Sequence, residues 1–93
     1  MVIASLKFLG PDEGGRNTPP KTGFRPQIDI NGVHTSCVVS GIGGVEEFSF
    51  GKEHEVSLAL MFPEQYKHSF KLNDKVSLYE GSKLIATGHV VAC

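Results

Sequence analysis

Short runs in which apolar and polar residues alternate, separated by Gly, Pro and Asn, recur from one end of this chain to the other. A period of two places successive side chains on opposite faces of a β-strand, whereas a helix needs apolar residues three and four positions apart. The pattern therefore predicts an all-β protein. The predicted strands are residues 2–9, 24–30, 33–39, 54–62, 75–79 and 83–91, with 45–50 as a shorter seventh candidate.

Two tight turns connect neighbouring runs. Asn31-Gly32 is the strongest hairpin signal in the sequence and is typical of a type I′ turn. Near the C-terminus, Glu80-Gly81-Ser82 separates the last two runs and has a glycine where a positive φ is needed. Because closure is the usual way in which a small antiparallel sheet loses its exposed edges, we predict a small closed antiparallel barrel.

Length, charge, the N-terminus and the cysteines limit the kinds of protein that this chain can be. With 93 residues the chain is long enough for one domain, 1–93, with one core. Its net charge is −1, so RNA binding would depend on a local basic patch. Lys7 interrupts the apolar N-terminus, which predicts neither a signal peptide nor a membrane span. Cys37 and Cys93 have no metal-ligand spacing, and we expect reduced thiols in a cytoplasmic protein.

The stretch 12–27, DEGGRNTPPKTGFRPQ, is the most specific part of the sequence. Its prolines exclude a helix and a central strand, and its glycines permit backbone angles closed to other residues. Arg16 and Arg25 are candidates for binding a phosphate backbone, with Gln27 as a neutral contact. The alternative is structural: Arg16 pairs with Glu13 or Asp12. In both cases the residues expected to shape the loop are Gly14, Gly15, Pro19 and Gly23.

Three motifs of this chain resemble the C-terminal β-barrel of elongation factor Tu. EGGRNTP (13–19) is similar to the family's EGGR-H-TP, and GFRPQ (23–27) is similar to its GYRPQ at the same separation. YEGSKLIATGHVV (79–91) is similar to the family's last hairpin, EGG-R-TVGAGVV, at Glu80, Gly81, Gly88, Val90 and Val91. The resemblance covers residues 6–91, nearly the whole chain.

The resemblance implies a six-stranded barrel. In the family this barrel packs against a GTPase domain and a second barrel and touches the T stem of aminoacyl-tRNA. By the motif positions, Arg16, Gln27, Glu80 and Gly81 would lie on or near the tRNA face. The full set of residues that we expect to bind RNA or a partner is Arg16, Asn17, Arg25, Gln27, Glu80, Gly81 and Lys83.

The chain also departs from the family pattern. Asn17 replaces the histidine that follows EGGR, Pro20 replaces a bulky residue, and Ser82 and Lys83 stand where glycine and arginine are found. No GxxxxGKS or GxxxxGKT loop is present, so we expect this chain to bind no nucleotide. We therefore expect the barrel to be used alone, without the family's GTPase domain and second barrel.

Other candidate sites are weaker. Gly41–Gly44 lacks the residues of a phosphate cradle and precedes Glu46-Glu47, so we expect a turn. The four histidines have no metal-ligand spacing and are expected at exposed strand ends. Cys37, for which His34 or His89 could be imagined as a base, lies on an apolar strand face and is expected to be a buried, unreactive thiol. The aromatic residues expected to remain available for stacking on bases are Tyr66 and Tyr79.

Two functions follow as hypotheses. The first is a non-catalytic module, with no cofactor or metal, that binds structured RNA such as tRNA. The second is a protein-interaction barrel that docks on a GTPase or another protein without binding nucleic acid. An enzyme is not expected, because no catalytic constellation is apparent.

Overall fold

The computed structural model describes residues 2–61 and 70–93 and contains, in these ranges, six β-strands and one short 3-10 helix. No helix in the described ranges has the length and apolar character needed to cross a membrane. The predicted all-β class is confirmed. The strands are β1 (Val2–Phe8), β2 (Gln27–Ile30), β3 (Val33–Gly41), β4 (Glu53–Leu60), β5 (Lys75–Glu80) and β6 (Lys83–Ala92).

The strands close into an antiparallel barrel in the order β1-β4-β3-β2-β5-β6, with β6 paired back onto β1. This confirms the predicted closed, six-stranded barrel. The pairs β2–β3 and β5–β6 are hairpins, whereas β1–β4 and β2–β5 join strands that are distant in sequence. The connection between β1 and β2, residues 9–26, therefore has to cross one end of the barrel.

Both predicted hairpin turns are confirmed by their backbone angles. Asn31 and Gly32 have φ values of 53° and 85°, as a type I′ turn requires. The Asp29 carboxylate supports this turn by accepting a hydrogen bond from the Gly32 amide at 2.8 Å. Gly81 has a φ of 62°, the positive value expected from its place between β5 and β6.

The barrel interior is filled by the apolar residues of the alternating pattern. Every strand contributes at least two fully or almost fully buried side chains, and the residues between them face outward. Outside the strands, the side chains of Phe48 and Pro20 are also fully buried. The buried core consists of Ala4, Leu6, Phe8, Ile28, Ile30, Cys37, Val39, Phe48, Val56, Leu58, Val76, Leu78, Ile85, Ala86 and Val90.

Strand β2 is shorter than predicted, because the ladder with both neighbours starts at Gln27 rather than at Phe24. Pro26 has no amide hydrogen, so it cannot continue a two-sided ladder. The chain before it still pairs with β3 alone, since the Cys37 amide donates to the Pro26 carbonyl at 3.0 Å and the Val39 amide donates to the Phe24 carbonyl at 3.0 Å.

Three further expectations need correction or fall outside the described residues. Val33 lies on the same face of its strand as buried Cys37 and Val39, where alternation predicts burial, but it is 54% exposed because it adjoins the hairpin turn. Residues 45–50 do not form a strand, although Phe48 is buried and stacks on Phe8 with ring centroids 5.0 Å apart. Strand β4 ends at Leu60, so the predicted strand over 54–62 is too long at Met61, and Phe62 lies outside the described residues.

Candidate functional site

The loop after β1 and the last hairpin turn lie at the same end of the barrel. Because neighbouring strands are antiparallel, β1, β3 and β5 end there, and β2, β4 and β6 begin there. We call this region the loop end; it comprises residues 9–26, 42–52 and 81–82 with the strand termini beside them. The predicted binding residues at the loop end are Arg16, Asn17, Arg25, Gln27, Glu80, Gly81 and Lys83.

Two glycines set the path of the chain after β1. The 3-10 helix Pro11–Glu13 ends at Gly14, which has the left-handed φ of 77°. The Arg16 amide then donates to the Leu9 carbonyl at 3.0 Å, which closes the loop against the end of β1. Gly15 is buried, and a Cβ there would overlap the Leu9 carbonyl oxygen. The predicted unusual backbone angle is therefore confirmed for Gly14 and wrong for Gly15. Glycine is required at position 15 because the Leu9 carbonyl leaves no room for a Cβ.

The Arg16 side chain is held by three groups. Its Nη1 forms an ion pair with the Glu80 carboxylate. Its Nε donates to the Thr18 carbonyl at 3.1 Å, and its guanidinium lies 5.6 Å from the centre of the Phe24 ring. An arginine above an aromatic face gains a cation–π attraction. These contacts join the loop, the segment before β2 and the last hairpin in one unit.

The partner of Arg16 differs from the expected one. The sequence left open a pairing with Glu13 or Asp12, which are its neighbours in the loop, and the structure pairs it with Glu80 instead. The Arg16 and Glu80 side chains are 23% and 42% exposed, so the pair is accessible from solvent. Among the described residues, Nη2 makes no hydrogen bond, which leaves two donors free for an anion.

The other polar residues predicted to bind at the loop end, among them two cations, are also accessible. Arg25, Lys83 and Asn17 all lie at the surface, and Lys83 faces Glu80 across the last hairpin. Within the described ranges, Arg16–Glu80 is the single ion pair formed by lysine or arginine, so Arg25 and Lys83 have no carboxylate partner there. The predicted binding residues include three cations, Arg16, Arg25 and Lys83, and one carboxylate, Glu80. This set therefore has an excess of positive charge.

Two further loop residues have structural roles. Gly23 has a φ of 92°, which favours glycine, and its amide donates to the Val39 carbonyl at 2.7 Å. Pro19 is half-buried, and Pro20 beside it is buried with its carbonyl accepting a hydrogen bond from the Phe48 amide at 2.9 Å. The prolines therefore anchor the loop on the core.

An aromatic pair that the sequence did not indicate lies on the outer face next to this site. Tyr79, a predicted stacking candidate, stacks on His34 with ring centroids 4.6 Å apart and planes at 23°. Gln27 pairs with Tyr79 on one side and with Ser36 on the other. The proximity of His34 depends on the β2–β5 pairing, which no local signal specifies. The other stacking candidate, Tyr66, lies outside the described residues.

The remaining histidines do not all match the expected exposed strand ends. His54 is half-buried, packs edge-on against Phe48 and has Nε2 3.0 Å from the Ser49 carbonyl oxygen. His89 is also half-buried, and His68 lies outside the described residues. The expectation is therefore wrong for His54 and His89. In the described ranges no group of three or more His, Cys, Asp or Glu is arranged to hold a metal ion.

Cys37 is buried, as predicted, with no exposed surface. Burial raises the pKa of its thiol to about 12, because the thiolate would lose its hydration. At neutral pH it is therefore protonated, the form with low nucleophilicity.

The Gly41–Gly44 segment forms the predicted turn. Gly43 and Gly44 have positive φ values of 71° and 84°, and the Gly41 amide donates to the Thr22 hydroxyl at 2.8 Å. This hydrogen bond ties the turn after β3 to the loop between β1 and β2.

The chain matches no protein-family model. The resemblance to the C-terminal barrel of elongation factor Tu therefore rests on the three motifs quoted above. The fold and site define a small all-β barrel in which the predicted binding residues, with the Arg16–Glu80 ion pair among them, lie at one end.

Proposed function

We propose that this chain is a non-catalytic binding module of elongation factor Tu C-terminal-barrel type, and that it binds structured RNA such as a tRNA stem through the loop end. The observation that carries the proposal is the Arg16–Glu80 ion pair, because it joins the first and third of the motifs that resemble the family. The second motif lies between them, through Phe24 under the Arg16 guanidinium and Gln27 beside Tyr79.

The three cations among the predicted binding residues suit a phosphate backbone. Arg25 and Lys83 are exposed and have no carboxylate partner among the described residues, and Arg16 keeps two free donors at Nη2. A guanidinium with free donors can contact a phosphate while its other nitrogens hold a carboxylate. Three contacts of this kind support non-specific binding, with a Kd on the order of 10⁻⁴ to 10⁻⁶ M at physiological salt.

The proposal includes a cytoplasmic location, where tRNA is present and thiols stay reduced. Both cysteines are free, Cys37 in the core and Cys93 at the surface. It includes no cofactor, no metal and no nucleotide bound by this chain.

The test is a fluorescence-anisotropy titration of labelled tRNA at low salt with three matched variants. Arg16→Ala and Arg25→Ala each remove one cation from the loop end, whereas Lys75→Ala removes one exposed cation from the opposite end, where β5 begins. We expect each loop-end variant to weaken binding and to reduce the slope of log K against log salt by about 1. Lys75→Ala should bind like the wild type.

Three results would contradict the proposal: no binding at any salt concentration, binding unaffected by Arg16→Ala, or an equal loss in the Lys75→Ala variant. Arg16 also has structural contacts, so Arg25→Ala provides the cleaner measurement. Circular dichroism of each variant checks that the barrel is intact.

The second candidate, a barrel that docks on a protein such as a GTPase, is favoured by one observation. Ile42 and Val45 are 41% and 37% exposed in the connection between β3 and β4. This connection pairs with the loop after β1, since the Thr22 amide donates to the Glu46 carbonyl at 2.8 Å. Under this alternative, the double variant Ile42→Ser, Val45→Ser would no longer capture a GTPase. Arg25→Ala would still capture it, and neither Arg25→Ala nor the wild type would bind RNA.

A further inference from the structure

The His34–Tyr79 stack spans a strand that lies between its two residues. His34 is on β3 and Tyr79 is on β5, and both side chains face outward over β2. Their ring centroids are 4.6 Å apart with planes at 23°, which is an offset-stacked arrangement. Strands β3 and β5 are not direct neighbours, so this contact is not an ordinary cross-strand pair.

One ring of the stack remains accessible. Tyr79 is half-buried, whereas His34 is exposed even though Tyr79 covers one of its faces. The exposed surface of His34 therefore lies on the opposite face and the ring edges. A third planar group can extend the stack there without any rearrangement of the barrel.

Polar groups flank this free ring. Asp29 is opposite His34 in the β2–β3 register, and Gln27 is opposite both Ser36 and Tyr79. The buried neighbour Ile28 shows that Gln27 and Asp29 lie on the outer face. Amide, hydroxyl and carboxylate groups can hydrogen-bond to the edge of a nucleobase.

The stack also adjoins the predicted binding residues of the loop end. Tyr79 immediately precedes Glu80, the partner of Arg16, and Gln27 follows Arg25 by two positions in an extended segment. A nucleotide whose base lies on His34 therefore has cations within reach of its neighbouring phosphates. This combination of a stacking ring and nearby cations is what binds unpaired nucleotides in many RNA-binding modules.

We propose that the His34–Tyr79 stack binds one unpaired nucleobase, so that the preferred ligand is an RNA stem with an unpaired nucleotide beside it. The inference rests on the proposed RNA-binding function and specifies its substrate class. A base inside an A-form helix has both faces covered by its neighbours, and only an unpaired base can leave the helix to stack on a side chain.

The experiment compares two RNA hairpins that have the same stem, one fully paired and one with a single unpaired adenosine. We expect the unpaired nucleotide to tighten binding about tenfold, the order that stacking of one base on an aromatic ring contributes. In proton NMR spectra, the His34 ring protons should shift upfield with the second hairpin. His54 and His89 serve as internal controls, since neither takes part in the stack, and their ring protons should not shift.

Two substitutions at the exposed position separate stacking from other effects. His34→Ala should abolish the preference for the unpaired nucleotide, and His34→Phe should retain it because the flat ring is kept. Since His34 is at the surface, neither change removes core packing.

The outcomes distinguish the two proposals. If both hairpins bind equally and the His34 protons do not move, the stacking site is wrong while the RNA-binding function stands. If neither hairpin binds, both are wrong. If the preference persists in His34→Ala, the unpaired base binds elsewhere and the inference is overturned.

Discussion

Arg16 and Glu80, 64 positions apart in the chain, form an ion pair that joins the loop after β1 to the hairpin between β5 and β6. The pair spans the loop end from the first motif that resembles the elongation factor Tu barrel to the last. Arg16 also lies over Phe24 at 5.6 Å and donates to the Thr18 carbonyl within its own loop, so one side chain links this loop and the segment before β2 to the distant last hairpin.

We expect Arg16→Ala to destabilise the barrel more than Glu80→Ala does. The arginine loses the ion pair, the hydrogen bond to Thr18 and the contact with Phe24, which together stabilise by about 1–2 kcal/mol. The glutamate loses only the ion pair, worth less than about 1 kcal/mol at this exposure. Urea unfolding of the two single variants and the double variant measures both values and the coupling between them.

Two results of the double-mutant cycle would contradict the expected difference between Arg16→Ala and Glu80→Ala. A coupling energy of zero would mean that Arg16 and Glu80 do not interact in solution, and equal losses in the two single variants would exclude the contribution of Phe24. High salt should reduce the coupling, because the pair is partly exposed.

We also expect Glu80→Gln to strengthen RNA binding. The substitution keeps the size of the side chain, removes the one negative charge among the predicted binding residues and frees the Arg16 guanidinium for phosphate. Titration of labelled tRNA should show a Kd lowered several-fold and a salt slope that is steeper by about 1. The matched control is Glu55→Gln on β4, which removes an equivalent exposed charge away from the last hairpin. An equal gain in both variants would indicate a bulk charge effect.

Most of the fold could be predicted from the sequence because its signals are local. The alternation of apolar residues identifies the strands, and Asn31-Gly32 with its positive φ values specifies one hairpin and its register. The pairs β1–β4 and β2–β5 have no such signal, since they depend on the closure of the whole barrel. Strand β2 starts three residues later than predicted, because Pro26 has no amide hydrogen for a second ladder.

The sequence indicated which residues lie at the candidate site but not which of them are in contact, because the contacts join distant parts of the chain. The motifs named Arg16 and Glu80 as members of one surface, but the expected partners of Arg16 were its sequence neighbours. Side chains 64 positions apart meet only when the barrel closes. His34 was missed for that reason as well, because its contact with Tyr79 crosses β2 and cannot be inferred from either strand alone.

The two adjacent glycines of the loop should respond differently to alanine. A Cβ at Gly15 would overlap the Leu9 carbonyl oxygen, which is backbone and cannot move without breaking the loop closure. We expect Gly15→Ala to cost about 3 kcal/mol or more, at the upper end of overpacking effects. Gly14 has open space around its Cα but a φ of 77°, so Gly14→Ala should cost only about 1–2 kcal/mol. Urea midpoints in the reverse order would show that the backbone angle, rather than space, limits this loop.

The buried thiol of Cys37 should make the stability of the barrel fall at alkaline pH. Burial raises the pKa of this thiol from its ordinary 9.0 to about 12. Between these values the unfolded chain has lost the Cys37 proton and the folded chain keeps it, so the unfolded state binds fewer protons. The free energy of unfolding therefore falls as pH rises through this window, by up to about 1.4 kcal/mol per pH unit from this group.

Cys37→Ala isolates that contribution, because the other groups that titrate in this range are unchanged. We expect urea unfolding at a series of pH values to give a shallower decline above pH 9.0 for Cys37→Ala than for the wild type, although the variant is less stable at neutral pH through the loss of core packing. Cys93→Ser, which changes the exposed thiol, is the matched control and should decline like the wild type. If Cys37→Ala and the wild type had parallel curves, the Cys37 thiol would ionise equally in both states, and its burial in the folded barrel would be wrong.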